Sequence, residues 1–313
     1  MDAVRSNAAS SLAPTAVLAV LVIAVSAFAP SFLSAYSLRV LAEESSAILL
    51  LATGQTLVVI LGRIDLSTAA IASLVSVLVA LAVPRLGAAA VPAALLLATA
   101  IGAWQGVVHV KARVPSFIVT LAGIGLWSGI ALAVAKTTVP IAGRDPFLEW
   151  LGQSSWGMPH AFALALATLA CFHAAMVRLR FGRELHAIGL AERVALLSGV
   201  PVGRVVVLTF AASGLCAGLA GTAMVARSGS GNPSIADSLL LPSIAAVLIG
   251  GTAITGGHGS LLRTLLGVFI VVVLRVGVAI AGLAPAFEPL AYGLLVVVAV
   301  AATIDRRSIG IVK

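Results

Sequence analysis

The sequence predicts an all-α, polytopic membrane protein with about ten transmembrane helices. Three observations predict it. Hydrophobic residues make up 61% of the chain and charged residues 10%, where a soluble domain carries about a quarter charged. The mean hydropathy is +1.16, too apolar for a surface that faces water. The apolar runs of Ala, Leu, Val and Ile approach the roughly 20 residues that a crossing helix needs, and they lack the period-2 alternation of barrel strands.

The runs fall at 13–30, 44–61, 66–83, 90–108, 116–135, 160–177, 204–226, 241–256, 261–281 and 286–303. The first, with Arg5 before it and Ala27–Ala29 at its end, also has the look of a signal peptide. A retained span is the preferred reading, because the rest of the chain inserts in any case. The connectors are short and rich in Gly, Pro and Ser, apart from 136–159 and 178–203. No break divides the chain, so residues 1–313 read as one transmembrane domain. Cys171 and Cys216 both lie in apolar runs, without metal or disulfide spacing.

A net charge of +8 raises nucleic acid as a partner. The basic residues are dispersed through short connectors, so they read as orientation signals instead. With a cytoplasmic N-terminus, one side holds Arg5, Arg63, Lys111, Arg113, Arg178, Arg180, Arg183, Arg193, Arg204, Arg263, Arg306, Arg307 and Lys313. The other holds only Arg39, Arg85, Lys136, Arg144 and Arg227. The bias puts both termini in the cytoplasm. It also puts 136–159, with Trp150 and Trp156 suited to an interfacial belt, outside.

Arg63 and Asp65 form a polar knot between the second and third runs. The count places the knot at the inner ends of those spans. Arg63 then needs no lipid crossing, and Asp65 suits the N-cap of span three. Arg275 stands inside the ninth run, where a charge is costly. It reads as a misplaced boundary, a pathway cation or the partner of an acid. Gly250, Gly251, Gly256, Gly257 and Gly259 bracket the turn after the eighth run. Close helix packing is the favoured reading, and a gate lined by backbone is the other. His258 and Arg263 follow at the same inner mouth.

Within 178–203, "AIGLAERVALLSGVP" reads as a short helix. Gly189 allows an entry turn, Glu192 suits the positive helix end, Gly199 fits the position after the helix, and Pro201 blocks continuation. A helix this short is not stable alone. It packs either on the ends of its own spans or into a groove of another protein.

Here a resemblance enters. "FGRELHAIGLAERVALLSGVPVGRVVVLTFAASGLCAGLAG" (181–221) resembles the signature region of permease subunits of ATP-binding-cassette (ABC) sugar importers. That family includes the ribose, xylose, arabinose and galactose permeases, with autoinducer-2 permeases as relatives. "GQTLVVILGRIDLSTAAIASL" (from 54), "VPSFIVTLAGIGLWSGIAL" (from 114) and "IAAVLIGGTAITGGHGSLLRTLLGV" (from 244) match in the same order. The resemblance implies ten spans per permease. It implies a pair of permeases (a second copy or a homologue), two ABC ATPases, and a periplasmic or lipid-anchored substrate-binding protein in a bacterial cytoplasmic membrane. It makes 189–199 the helix that couples to the ATPase, through Gly189, Glu192, Arg193, Ala195, Leu197, Ser198 and Gly199. The orientation count and the glycine pattern make Arg63, Asp65, Ser67, Gly250, Gly251, Gly256, Gly257 and His258 candidates for an inner turn or gate. Asp65, Leu66 and Ser67 follow the family's pattern, while Arg63 stands where a glycine is usual. Leu240, Leu241 and Pro242 replace an acidic Glu-Leu-Asp arrangement, which leaves the substrate open within sugars and sugar-like small molecules.

What the sequence lacks points the same way. It has no G-x-x-x-x-G-K-[ST], and "GGTAITGGHGS" lacks the phosphate-binding lysine. ATP and Mg are therefore expected on a partner ATPase and no cofactor on this chain. No catalytic constellation is present. His109, His160, His173, His186 and His258 are scattered, and neither H-E-x-x-H nor a rhomboid-type motif occurs. A stand-alone secondary transporter or channel is one rival reading, thin in intramembrane ionisable groups. A permease of the related branched-chain amino-acid or nucleoside importers is the other.

Overall fold

The computed structural model describes residues 2–303 except 283 and 285. Arg306, Arg307 and Lys313, part of the orientation count, lie outside the described residues. The chain is mostly helical. It forms α1 (Asp2–Phe28), α2 (Ala35–Ile60), α3 (Thr68–Leu86), α4 (Ala90–Ala112), α5 (Ser116–Val134) and α6 (Pro146–Leu151). These are followed by α7 (His160–Arg178), α8 (Arg180–Leu197), α9 (Val202–Ser228), α10 (Leu240–Ile249), α11 (Leu261–Ile280) and α12 (Phe287–Thr303).

At the centre stand α2 and α9. From Ser45 to Ile60, α2 is buried almost all round; Ile48, Leu49, Leu50, Leu57 and Val58 have no exposed surface. A helix apolar on every side belongs in such a place. On α9, Gly214 and Gly218 repeat at a four-residue interval, and Gly102 and Gly106 do the same on α4. A side chain at Gly102 would strike the Phe210 carbonyl, and one at Gly214 the Ala98 carbonyl. The two backbones approach because glycine faces backbone at these crossing points. By contrast α5 shows an apolar face outward, with Phe117 48% and Leu121 56% exposed, as a lipid-facing helix should.

Among the described residues, six segments are long and apolar enough to cross a membrane, where the sequence suggested ten. One of the six is the run Thr68–Ala112, which contains two expected spans. It folds back at Gly87, where φ is +50°. Ala72 of α3 lies beside Gly221 and Ser76 beside Gly231, while Ala98 of α4 lies beside Gly218 and Gly106 beside Val207. So α3 runs parallel to α9, and α4 antiparallel to it. Three other expected spans are short helices: Pro14–Phe28 and Asp237–Ile249, and the 17-residue α12.

The connector 178–203 also differs from the reading above. It is nearly all helix. The chain turns at Leu179 (φ −91°, ψ 160°) and α8 starts at once. Leu185 and Ile188, one turn apart, are 0% and 2% exposed, so burial stabilises a first half that the sequence reading left as loop. The non-helical residue is Ala191 (φ −159°, ψ 86°), not Gly189. The short helix is thus the outer half of a bent one.

Candidate coupling junction

Three chain segments meet at one end of the bundle: the turn after α2, the bend of α8, and the loop from α10 to α11. Gly257 donates its N–H to the Ile60 carbonyl at 2.8 Å. A Cβ on Gly189 would overlap both the Ile60 oxygen and the Gly257 nitrogen, and one on Gly256 would lie 2.7 Å from Gly62 Cα. Gly189, Gly256 and Gly257 therefore form a backbone-to-backbone junction. Gly250 is similarly close to Arg263 and Thr264 of α11. Gly251 (φ +81°) makes the turn after α10 and does not enter the junction. His258 is exposed beside it.

Arg63 ties the junction together with side chains. Its Nε donates to His109 Nε2 at 2.8 Å, and a terminal N–H donates to Glu192 Oε2, also at 2.8 Å. The Arg63 side chain is 16% exposed, and that of Glu192 50%. His109 Nδ1 sits 2.6 Å from the Val114 carbonyl. Since Nε2 accepts from Arg63, the neutral Nδ1–H tautomer is the one that satisfies both contacts. One arginine thus connects the turn, the end of α4 and the outer half of α8.

Asp65 points the other way, inward. It is 2% exposed. Its Oδ1 accepts from the Ser67 N–H (3.0 Å) and the Ser67 hydroxyl (2.7 Å), and its Oδ2 from the Ser213 hydroxyl of α9 (2.7 Å). The expected N-cap role is corrected: Ser67 occupies the cap position of α3, and Asp65 braces the turn to α9. Burial pushes its carboxyl above the usual carboxylate range, and the bonds from Ser67 and Ser213 pull it part of the way back. The Ser67 hydroxyl also lies 3.0 Å from Gln105 Oε1, so its single proton would be shared between two acceptors. The reversed Gln105 amide lets Nε2 donate to Ser67. It also turns Oε1 away from the serine, toward the side where the otherwise unpartnered indole N–H of Trp127 lies against Gly123.

In the outer half of α8, Ala195 is buried while Val194, Leu196 and Leu197 are 62%, 60% and 82% exposed. Glu192, Arg193, Ser198 and Gly199 are exposed with them. Gly199 takes φ +83°, where a left-handed residue ends a helix. Three bare aliphatic side chains within about one helical turn form a surface that water solvates poorly.

Arg275 is neither free nor at a span boundary. It lies within α11, 3.2 Å from Glu44 and 3.3 Å from Glu288, while Glu44 also binds Arg227 at 2.7 Å. These groups are at the opposite end of α2 from Gly62. Exchanging the signs tests the pairing. Arg275→Glu alone should cost on the order of 1–3 kcal/mol, read as a lower melting temperature in detergent, and Arg275→Glu with Glu44→Arg should recover part of it. No recovery with Glu44 or Glu288 reversed would contradict the pairing.

Sequence reading did not bring Gln105, His109 or Ser213 into the site. A polar residue inside an apolar run is the signal that marks Gln105 and Ser213. His109 had none, since only the fold sets Arg63 against it.

Comparison with known proteins places the chain. Residues 37–300 match the family described as "Branched-chain amino acid transport system / permease component". The probable ABC transporter permease protein YphD of Escherichia coli (strain K12) is 39% identical over 166 residues, covering 53% of this chain and 50% of that protein. The ribose import permease protein RbsC of the same strain is 30% identical over 90% of each chain. The fructose import permease protein FrcC of Rhizobium meliloti is 32% identical over 92% of this chain and 84% of its own. No solved structure matches the chain. The bundle of apolar helices and the match over most of its length agree. The chain belongs to this permease-component family, and is a multi-pass membrane subunit of an ABC importer rather than an enzyme.

Proposed function

We propose that the chain carries a sugar or sugar-like small molecule across the bacterial cytoplasmic membrane as a single transmembrane domain, with ten crossings and both termini in the cytoplasm. The observation that carries the mechanism is the junction of Gly189 with Ile60 and Gly257, reinforced by Arg63 on Glu192. A push on the outer half of α8 cannot be absorbed by side chains there, because backbone meets backbone. It passes to α2, to the start of α3 through Asp65, and to α11. The exposed Val194, Leu196 and Leu197 are the face that an ATPase covers. ATP and Mg bind that partner, and this chain binds no cofactor. A substrate-binding protein delivers the solute at the other end, and a second permease copy or homologue completes the pair. Ribose and fructose import by the relatives supports the sugar class, while the family description supports an amino-acid substrate as the second reading.

The test is uptake in proteoliposomes. Transport is expected only with the partner ATPase, ATP and the binding protein, and only of the solute that the binding protein holds. Uptake down a gradient by this chain alone, unaffected by loss of the ATPase, would replace the importer with a channel or carrier. Uptake of leucine in place of any sugar would select the second reading.

A further inference from the structure

Lys111, in the last turn of α4, and Arg204, in the first turn of α9, open onto one groove at the end of the bundle that carries the junction. The cavity between them measures about 330 Å³. The rest of its lining is Val107, Val110, Gly203, Val207 and Leu208, none of them polar. The apolar wall continues away from the two cations. Trp104, Val107 and Lys111 fall on one side of α4, at i, i+3 and i+7. Trp104 is 49% exposed and Leu208, across the groove, 51%.

Neither cation has a partner in the protein. Lys111 and Arg204 make no ion pair or hydrogen bond among the described residues, and no acid lines the groove. Lys111 suits the negative end of α4. Arg204 stands at the positive end of α9, where a cation is unfavourable. Two like charges on one small cavity also repel, and an anion between them removes both costs.

The apolar walls narrow the choice of anion. A free phosphate would use the charges and leave the walls to water. A nucleotide would need polar or aromatic partners for its base, and the lining has none. A phosphatidylcholine would bring a third cation. A phospholipid of net negative charge uses charges and walls together, as basic pockets between transmembrane helices on the cytoplasmic side do. The volume is near the low end of small-molecule sites, enough for a headgroup and the start of one chain.

We infer that the groove between the cytoplasmic ends of α4 and α9 holds an anionic phospholipid of the inner leaflet. Its phosphodiester lies between Lys111 and Arg204, and the start of an acyl chain runs along Val107, Val207 and Leu208. Placement in the inner leaflet rests on the importer orientation; the affinity for the lipid does not. The lipid also supports the junction. Lys111 follows His109, which holds Arg63, by two residues, and α9 follows α8 after a short turn.

The test reconstitutes the full chain in phosphatidylcholine vesicles with one part in four phosphatidylglycerol, extracts it in mild detergent and counts bound lipids by native mass spectrometry. The parent should retain phosphatidylglycerol several-fold over phosphatidylcholine. That preference should fall several-fold in Lys111→Gln and in Arg204→Gln, and vanish in the double variant. Each single variant removes one exposed, unpaired side chain, so the test holds even if the double variant is unstable. Arg113→Gln removes a charge beside α4 but outside the groove and should keep the preference. Phosphatidylglycerol should raise the melting temperature of the parent and not of the single variants to the same extent. Equal retention of the two lipids, a preference that survives both single variants, or an equal loss in Arg113→Gln would overturn the site. Displacement of the lipid by inorganic phosphate would overturn it in favour of a free anion. Cross-linking between two copies carrying Leu208→Cys on a Cys171→Ala background would overturn it in favour of a second permease. Orientation is read separately. Arg204→Cys on the same background should react with a membrane-impermeant maleimide in inside-out vesicles alone. Reaction in right-side-out vesicles would overturn the inner-leaflet placement and the importer orientation, while the lipid preference is decided by the mass measurement.

Discussion

Gly189→Ala is expected to reduce ATP-driven uptake about tenfold or more. The added carbon overlaps the Ile60 carbonyl oxygen and the Gly257 nitrogen, and lies 3.0 Å from Gly257 Cα. All three are backbone, so no rotamer can relieve the clash. The turn after α2 and the α10–α11 loop must separate, and the Gly257 N–H to Ile60 carbonyl bond (2.8 Å) is lost with them. Overpacking costs about 1–3 kcal/mol, and an orphaned buried pair adds about 1–3 kcal/mol. Gly125→Ala and Gly129→Ala are the controls. Nothing lies within 4 Å of a Cβ at either position, so uptake should be unchanged. The measurement is initial uptake rate beside ATP hydrolysis in the reconstituted complex. Gly189→Ala should lower transport per ATP hydrolysed as well as the rate. Full uptake in Gly189→Ala would mean that the junction yields easily and does not transmit the motion of α8.

The second large effect is at Asp65, and its size depends on the replacement. Asp65→Leu leaves the Ser67 N–H, the Ser67 hydroxyl and the Ser213 hydroxyl without the acceptor they share. At about 1–3 kcal/mol for each orphaned buried group, the loss exceeds about 3 kcal/mol. The variant should melt well below the parent in detergent and accumulate poorly in membranes. Asp65→Asn keeps one acceptor oxygen for Ser67 and turns a donor toward the Ser213 oxygen, so it should retain most of the stability and more than half of the uptake. Thermal melting monitored by size-exclusion chromatography, together with uptake, separates the two. An Asp65→Asn protein that folds normally but does not transport would show that the negative charge itself is used. Asp65 would then belong to the transport path and not to the brace.

Much of the site was legible in the chain, though not its connections. "GRIDLS" marked a polar turn between two apolar runs, and Gly199 with Pro201 marked where α8 stops. The start of α8 was not legible, because Leu185 and Ile188 form no long apolar stripe and their burial depends on α8 packing against α7, α9 and α2. Asp65 read as a helix cap because a sequence shows local neighbours alone. Its decisive partner, Ser213, is 148 residues away. Arg63 read as an orientation signal for the same reason. The alternatives left open for Arg275 closed once α2 brought Glu44 to it.

The sequence by itself determined the solvent and the class. Apolar content this high has a stable fold only in a bilayer, and without barrel alternation it is helices that satisfy their backbone there without open edges. The order of family motifs along the chain settled which kind of membrane protein it is. Only the tertiary structure decided that Gly189, Ile60 and Gly257 share one contact, that Arg63 joins three elements, and that Arg275 meets two acids at the far end. Those are distances between residues far apart in the chain. They are fixed by which helices pack in which order, and hydropathy is nearly blind to that order because every apolar face resembles every other.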